Sequence, residues 1–561
     1  MFILSSFIYE LYSKNKLLAI FYVCSFFAFL LYFKGKYITL ILMLFFIVAL
    51  NNNICFYRYI PNGFEELRII EVNNYYGKGD VKGRIVNLSN VDSNLEVGNK
   101  LIVKGKFSEN HNKTKGIIGD YKIEEYRVLK SDFIDKLYKR RRYIYERIEN
   151  KLGKRKAALI TSVSFGYKND LDKDHRELMS SLGISHAISI SGLHLVLIYS
   201  VLKLLLGSKL SLIVALIYVM FSGASAPAVR AYIMIVILNL GNVVKRNYNP
   251  LAALSLAGIV LLLMKPYYIY NLGFVLSFLA TLGIILFNKN LNKKLYRFPN
   301  LIRSTIAISI SAQVLTLPII ILYFNEISLN FIIGNIIVVP FINILVVFGN
   351  CLVFFEYIPI LFNFSLYICH YIIKYIDVIM YKLDSFSFGL VYLHYTIAYF
   401  YVGILVTYYF YRKGFKVFLY YPLIIGIYTF LLIYSPFLKI KYYNDGALLI
   451  SYRGERVLIQ TKEKVDEEKL KAELKSLETE LTSLNNKILN STEEKERLDK
   501  IKIDNKITLT KKGENYILTT DKNEYLLFVN YEKNNNDYDI IDFRKGDINE
   551  ITLFNDEVIN N

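Results

Sequence analysis

The chain has 561 residues, of which 54% are hydrophobic and 20% are charged, and its formal net charge is +19. This composition excludes an ordinary soluble protein, which needs a larger polar and charged surface. The four cysteines are scattered, which argues against a disulfide framework and a CxxC metal site. The sequence therefore predicts a protein that crosses a membrane several times.

Two apolar stretches open the chain, at 17–33 and 37–50, separated only by Lys34-Gly35-Lys36. No small-residue cleavage site lies between them, so a cleavable signal peptide is not expected. We assign residues 1–60 to two transmembrane helices.

Residues 61–135 have a different pattern, in which hydrophobic and polar residues alternate in short runs bounded by Gly, Asn and Asp. This pattern predicts strands joined by turns, and we expect a small OB-like β-barrel. OB folds often bind single nucleic acid strands on aromatic side chains. The candidates here are Tyr75, Tyr76, Phe107, Tyr121 and Tyr126. The balance of 12 basic and 12 acidic side chains favours the alternative, a rigid ectodomain.

Residues 136–182 begin with a basic amphipathic pattern that has 10 basic and 2 acidic side chains within 136–156. Such a helix usually lies on anionic lipid. The alternative is a positively charged collar around a nucleic acid. We therefore expect 136–182 to form basic amphipathic, interfacial helices.

Residues 183–440 contain about ten further apolar segments, which makes about twelve spans in all. Eleven basic residues lie in the loops that follow odd-numbered segments, and two lie in the loops that follow even-numbered segments. The positive-inside rule then places the odd loops in the cytoplasm, and the barrel and the tail outside. Pro340 could split one segment and reverse the later parity.

The tail, 441–561, is predicted to be a small α+β domain. Residues 447–452 and 456–461 look like a β-hairpin, and further strands are expected near 516–543. Between them, leucines at heptad spacing over 470–488 predict a coiled-coil insertion. No histidine follows His394, so a histidine-rich metal centre is not expected in the tail.

The most informative stretch is His186–Leu195, because its polar residues run directly into an apolar segment. Ser189 and Gly192 fall on one face of a predicted helix with Ser185, which would let another backbone approach. Ser191 and His194, three apart, raise the alternative of an intramembrane hydrolase. A polar element along an aqueous route explains the stretch better, since no acidic residue is present to orient the histidine.

Other polar or helix-breaking residues recur in the later segments. The predicted helix breaks are Gly223, Pro227, Gly273, Pro318 and Pro340, and the polar positions are Arg230, Gln313 and Asn335. Together they suggest discontinuous helices around an aqueous path. Arg230 either meets a phosphate or extends to the lipid headgroups. There is no GxxxxGK[ST] loop, so ATP hydrolysis by the chain is not expected.

In this ordered set of motifs the sequence resembles the ComEC family of competence proteins. The motifs are Gly183-x-x-His186, Ser189-Ile190-Ser191-Gly192-Leu193-His194, Gly223 with Arg230-Ala231 and Met234, Phe274-x-Leu276-Ser277-Phe278, Ser311-Ala312-Gln313 with Pro318 and Phe324, and Asn335 with Pro340. The resemblance covers most of 60–440. It implies an OB-like ectodomain and a channel domain in the cytoplasmic membrane that imports single-stranded DNA.

The resemblance also sets the expected partners. Many members end in a metallo-β-lactamase-like domain with an HxHxDH metal motif, which is missing here. The tail is therefore interpreted as a degenerate form of that domain, so the chain is expected to be a channel rather than an enzyme, with no cofactor and no metal. The expected partners are single-stranded DNA, anionic lipid, an external DNA receptor, a cytoplasmic ATP-driven motor, a separate nuclease and a second copy of the chain. A non-catalytic membrane assembly protein is the remaining alternative.

Overall fold

The structure is a computed structural model that describes most of the chain. Outside the described residues lie 62, 74–75, 93–94, 168–171, 189, 434–436, 444–446, 453–454, 461–499, 505–506, 513–514, 521–522, 529–538, 544–549, 555–556 and 561. Two compact units make up the chain. The first comprises Met1–Thr316 with Ser328–Gly389, and the second comprises Leu317–Ile327 with Leu390–Asn561.

Three helices open the first unit: α1 (Phe2–Lys14), α2 (Lys16–Lys34) and α3 (Lys36–Tyr57). The first was not predicted. It packs on α3, where the Asn53 side chain donates a hydrogen bond to Ser5 Oγ at 3.3 Å. α2 begins where the Asn15 side chain accepts a hydrogen bond from the backbone of Leu18. It ends at Gly35, whose positive φ of 79° turns the chain into α3.

A closed five-stranded barrel follows, as the sequence predicted. Its strands are β1 (Phe64–Asn73), β2 (Tyr76–Val81), β3 (Arg84–Ser89), β4 (Lys100–Asn112) and β5 (Ile117–Val128). The order around the barrel is β1-β2-β3-β5-β4, with β3 and β5 parallel and the other pairs antiparallel. Alternating residues fill the interior, including Leu67, Leu88 and Tyr121.

The proposed base-stacking role is wrong for Tyr121. Its side chain is fully buried in the barrel core, and its hydroxyl donates to the backbone of Gly63 at 3.2 Å. Phe107 is also partly buried against this core. Tyr76 and Tyr126 remain exposed, and Tyr75 lies outside the described residues.

The basic helix α4 (Phe133–Leu152) connects the barrel to the helical core. Arg142 pairs with Glu96 of the barrel. On another turn, Arg140 Nη2 lies 2.8 Å from Glu356 Oε2, and Glu356 is only 7% exposed. Arg147 donates to the Glu356 carbonyl at 2.7 Å. Several arginines expected to face lipid or nucleic acid are therefore engaged within the protein.

Two short helices continue the chain, α5 (Lys154–Phe165) and α6 (Lys173–Ser181). All residues of α5 from Ala157 to Phe165 are buried. Interfacial placement is therefore wrong for α5, which is a core helix. Its tight contact with a later helix requires Gly349, since a Cβ there would overlap Ser164 Oγ.

The 30-residue helix α7 (Gly192–Phe221) folds back on itself at Gly207, where φ is 73° and ψ is 174°. A straight helix of this length would separate its ends by about 45 Å. Yet a Cβ added to Gly166 would lie 2.7 Å from Ile190 and 3.4 Å from the Ser222 carbonyl. The residues flanking the two ends of α7 therefore meet, and α7 is a hairpin of two arms. Leu204 and Leu205, next to the bend, are 86% and 73% exposed.

The remaining helices of the membrane region are α8 (Ala226–Val243), α9 (Pro250–Met264), α10 (Leu272–Lys294), α11 (Asn300–Phe324), α12 (Phe331–Phe354) and α13 (Pro359–Ser385). Among the described residues, six helices qualify as candidate membrane spans by length and composition: α3, α7, α8, α10, α11 and α12, with α7 counted over both arms of its hairpin. Three shorter apolar helices accompany them. A helical protein with several candidate spans and a small barrel is thus confirmed.

The second unit contains α14 (Thr396–Arg412), α15 (Tyr421–Ile433) and two five-stranded sheets. One sheet has the order β10-β9-β8-β16-β17 and the other β11-β12-β13-β14-β15. The strands are β8 (Leu438–Tyr443), β9 (Ala447–Tyr452), β10 (Glu455–Gln460), β11 (Lys500–Asp504), β12 (Ile507–Lys512), β13 (Asn515–Thr519), β14 (Glu524–Phe528), β15 (Asp539–Asp542), β16 (Glu550–Phe554) and β17 (Glu557–Asn560). Two short strands, β6 (Glu326–Ser328) and β7 (Leu390–Tyr392), pair with each other.

Side chains from both large sheets form one core, which includes Ile440, Leu518 and Phe543. The predicted hairpin is present as β9 and β10, which pair in an antiparallel register. The predicted coiled coil over 470–488 lies outside the described residues.

Acid should weaken the connection between the barrel and α4. Asp132 caps α4 and is hydrogen-bonded to Arg68, and this bond lowers the pKa of its carboxyl to about 2. A carboxyl with a lowered folded pKa stabilises the protein above its unfolded pKa, and that contribution is lost as pH falls from about 4 to 2. Over this range, the apparent melting temperature of the purified protein should fall less steeply in Asp132→Asn than in wild type.

The control is Asp172→Asn, because Asp172 stands at the N-cap of α6 but makes no capping bond. Its pH profile should match that of the wild type. Identical profiles for Asp132→Asn and wild type would contradict the role of the pair.

A side chain at Gly207 should destabilise the hairpin. The backbone region occupied by Gly207 is essentially restricted to glycine, and we expect Gly207→Ala to cost about 1–3 kcal/mol. Thermal unfolding in detergent, followed by circular dichroism, measures the effect. Gly426→Ala is the control, because Gly426 lies within α15 and its Cβ would meet Phe400 at an ordinary 3.4 Å. That variant should be at least as stable as wild type, since alanine favours helix. Equal stability of Gly207→Ala and wild type would contradict the hairpin.

Candidate functional site

The loop before α7 is held against the start of α12. Gly183 has a φ of 69°, and a Cβ there would lie 2.6 Å from the Phe331 Cβ. Ser328 Oγ and Asn330 Nδ2 both donate to the Ser181 carbonyl, at 2.6 and 3.1 Å. The glycine of the Gly183-x-x-His186 motif is therefore required by backbone geometry and by this close approach.

Ser191 and His194 form the N-terminal cap of α7. The His194 backbone N–H donates to Ser191 Oγ at 3.4 Å, and the Ser191 N–H donates to His194 Nδ1 at 3.5 Å. This reciprocal arrangement is a capping box, with histidine at the position usually taken by Glu or Gln. The proximity of this serine and histidine therefore has a structural explanation.

One expectation about this stretch is wrong. The helix begins only at Gly192, and Ser185 lies in a short 3-10 turn, Ser185–Ala187. Ser185 and Gly192 therefore do not share a helix face. The reason is the cap: Ser191 is extended at φ −100° and ψ 165°, so a continuous helix through it is impossible. Ser189, a predicted path residue, lies outside the described residues.

Arg230 of α8 packs directly on Gly192, the first residue of α7. A Cβ at position 192 would overlap Arg230 Nη2 and would lie 3.3 Å from the Ala231 Cβ. A side chain at position 192 would displace the guanidinium from its present position. The hairpin at Gly207 makes the contact possible, because it returns the chain to the start of α7 before α8 begins.

The Arg230 guanidinium is buried and unpaired. It is only 8% exposed, and its Nε has no hydrogen-bond partner among the described residues. Among the described residues, Tyr248 interacts electrostatically with Arg230, and no carboxylate does. Tyr248 is uncharged at neutral pH. A buried cation without an anion is costly. Its position at the positive end of a helix dipole adds to this cost.

The two histidines of the motif lie near each other but differ in accessibility. His194 is 2% exposed, whereas His186 is exposed. The two rings are close enough to interact electrostatically. His186, Ser191, Gly192, His194 and Arg230 thus come together at the start of α7.

Gln313 and Asn335 belong to a different polar group. Asn335 of α12 donates to Ser309 Oγ of α11 at 3.0 Å. Gln313, one turn further along α11, has a buried Oε1 without a hydrogen-bond partner among the described residues. Asn335 therefore links α12 to α11, and Gln313 lies one turn of α11 from this link.

The predicted helix breaks have mixed outcomes. Gly223, with φ 86°, and Pro227 lie in the turn between α7 and α8 and in the first turn of α8. Gly273 is in the first turn of α10. Pro318 and Pro340 do not interrupt their helices, because α11 and α12 run on through them. Pro340 therefore does not split its segment into two crossings.

Two residues that sequence reasoning did not assign also shape this site. Gly166, with φ 74°, lies where both ends of the α7 hairpin meet. Tyr248 interacts with Arg230. In the sequence, Gly166 is only an isolated glycine after an apolar run, and nothing indicates a role for Tyr248.

Comparison with known proteins identifies this part of the chain. Residues 163–414 match the competence protein family. They are a competence domain of the ComEC family. All the predicted path and helix-break residues, from His186 to Pro340, fall within this domain.

Two curated relatives are similar to parts of the chain. The chain is 29% identical over 192 residues to ComE operon protein 3 of Bacillus subtilis (strain 168), which covers 33% of this chain and 24% of that protein. It is 30% identical over 128 residues to an uncharacterized protein of Aquifex aeolicus (strain VF5), covering 22% of this chain and 31% of that protein. The matches thus span about a quarter to a third of these relatives. No solved structure matches the chain.

Loss of the cap should destabilise the competence domain. We expect Ser191→Ala to lower the free energy of unfolding by about 0.5–2 kcal/mol, since alanine cannot accept the hydrogen bond from His194 N–H. Ser191→Asp and Ser191→Asn should retain most of the stability because both are good N-caps. Thermal unfolding of the three variants tests this. Equal stability of all three would show that the cap is not formed.

Proposed function

We propose that this chain is a membrane channel that imports single-stranded DNA across the cytoplasmic membrane during natural transformation. Membership of the competence domain in the ComEC family supports a role in DNA uptake. The observation that carries the channel mechanism is the buried, unpaired Arg230 at the start of α7.

This arrangement suits a passing phosphate. Backbone N–H groups at a helix N-terminus attract anions, and a guanidinium binds phosphate oxygens in a forked geometry. The positive charge of Arg230 and the positive end of the α7 helix dipole repel each other until an anion lies between them. A phosphate at this point would satisfy both, and His186, which is exposed near His194, would lie close to it.

A single fixed cation also suits a transport path better than a site that retains its ligand. A channel must bind its cargo weakly enough to release it. The other arginines already named illustrate the contrast, since Arg140, Arg142 and Arg147 are held by protein partners. The DNA path would then run past His186, Ser189, Ser191, Gly192, His194 and Arg230, and continue along Gln313 and Asn335.

The rest of the assembly follows from this proposal. The five-stranded barrel would act as an OB-like domain outside the membrane, and about twelve spans would include the shorter helices. A cytoplasmic motor, an external receptor and a separate nuclease would act together with the chain. The chain would also contact anionic lipid and associate with a second copy of itself. The tail, predicted outside the membrane, would be non-catalytic.

The hydrolase alternative is less well supported because Ser191 and His194 are arranged as a helix cap. A serine-directed fluorophosphonate probe distinguishes the two functions. A channel leaves the probe unreacted, whereas labelling that disappears in Ser191→Ala would favour a hydrolase.

Replacing Arg230 should reduce DNA transport without lowering the stability of the protein. We expect Arg230→Gln to reduce uptake of labelled DNA at least about tenfold, as for loss of a hydrogen bond to a charged group. The melting temperature should stay the same or rise, because a buried unpaired charge has been removed. Arg246→Gln is the matched control, since Arg246 is exposed just beyond the other end of α8, and its uptake should be normal.

Membrane abundance is measured in parallel for both variants. Normal DNA uptake by Arg230→Gln would remove Arg230 from the path. Loss of both uptake and stability would instead assign Arg230 a structural role.

A further inference from the structure

A second polar site lies at the far end of α10, away from the α7 cluster in the sequence. It is an open cleft of about 680 Å³ between the end of α10 and the beginning of α11. Its lining residues are Ile284, Ile285, Asn288, Lys289, Asn292, Lys293, Tyr296 and Arg303. We infer that this cleft binds the headgroup of an anionic phospholipid that carries hydroxyl groups.

The shape of the cleft follows from how the two helices pack. Gly283 of α10 lies against the backbone of α11, where a Cβ would overlap the Ser311 carbonyl oxygen. Towards the loop, Asn288, Lys289 and Arg303 line the space between the helices. The helices therefore touch at Gly283, and the space between them is open at the loop.

The electrostatics of the lining favour an anion. Lys289, Lys293 and Arg303 are basic, and none of the described residues that line the cleft is acidic. Lys289 and Lys293 are four residues apart on one helix, a spacing at which like charges repel. An anion between them removes this repulsion.

Two buried atoms of the lining make no hydrogen bond with the described residues: Arg303 Nε and Asn288 Oδ1. The first is a donor and suits a phosphate oxygen. The second is an acceptor and suits a hydroxyl group. A phosphate alone would satisfy only the first, whereas a glycerol headgroup next to a phosphate would satisfy both.

The location favours a lipid over a free phosphate compound or a nucleic acid. Both α10 and α11 are candidate membrane spans, and their connecting loop is rich in basic residues, which places the cleft at a membrane surface. Ile284 and Ile285 line its membrane side and offer apolar contact for an acyl chain. Basic pockets between transmembrane helices are known to bind anionic headgroups.

Native mass spectrometry of the full chain in detergent tests this with added phosphatidylglycerol. We expect specific binding of phosphatidylglycerol, and about fivefold weaker binding by Lys293→Gln and by Arg303→Gln. The matched control is Lys294→Gln, which removes the same charge from the adjacent position outside the cleft lining. It should bind within about twofold of wild type.

Three comparison ligands separate the sources of phosphate: phosphatidylcholine, glycerol phosphate and a short oligo-dT. Weak binding of all three supports the lipid site. The inference is overturned if Lys294→Gln weakens binding as much as Lys293→Gln, since the attraction is then diffuse. It is also overturned if glycerol phosphate or oligo-dT binds as tightly as phosphatidylglycerol with the same dependence on Lys293. The test needs no DNA transport, so its failure is distinguishable from a failure of the proposed DNA import.

Discussion

The packing of Arg230 on Gly192 is the contact on which the proposed path depends. It requires three separate features of the chain. Gly207 lets α7 fold back, so that α8 begins near the first residue of α7. The cap formed by Ser191 and His194 fixes where α7 starts. Gly192 has no side chain to exclude the guanidinium.

This contact is electrostatically unfavourable in the protein alone. Buried arginines normally need acidic or carbonyl partners, and even the partly exposed Arg140 and Arg147 have such partners at Glu356. Arg230 has neither among the described residues and faces the positive end of a helix. Unpaired charges persist where function requires them, at a cost in stability that packing elsewhere offsets. For this reason we propose that Arg230 meets an anion in transit.

The barrel and the membrane helices of the first unit are joined by contacts that leave little freedom. Arg68 pairs with Asp132 at the start of α4. Gly116, in the turn before β5, lies so close to Tyr267 that a Cβ would overlap the ring. A barrel held in this way has a defined orientation above the helices. If it guides DNA, it would do so as a fixed entrance, through residues such as the exposed Tyr76 and Tyr126 rather than the buried Tyr121.

Much of this protein was determined by local sequence patterns. Composition and apolar length predict the membrane helices, and alternation predicts the barrel, because both patterns reflect which faces of an element are buried. The ordered motifs were sufficient to indicate the ComEC family. Tertiary structure alone decided which of the singled-out residues meet. Arg230 and Gly192 are 38 positions apart, and only the hairpin brings them together. The pairing of Ser191 with His194 as a cap, the continuity of α11 and α12 through their prolines, and the burial of Tyr121 likewise depend on neighbours in space, which periodicity along the chain does not specify.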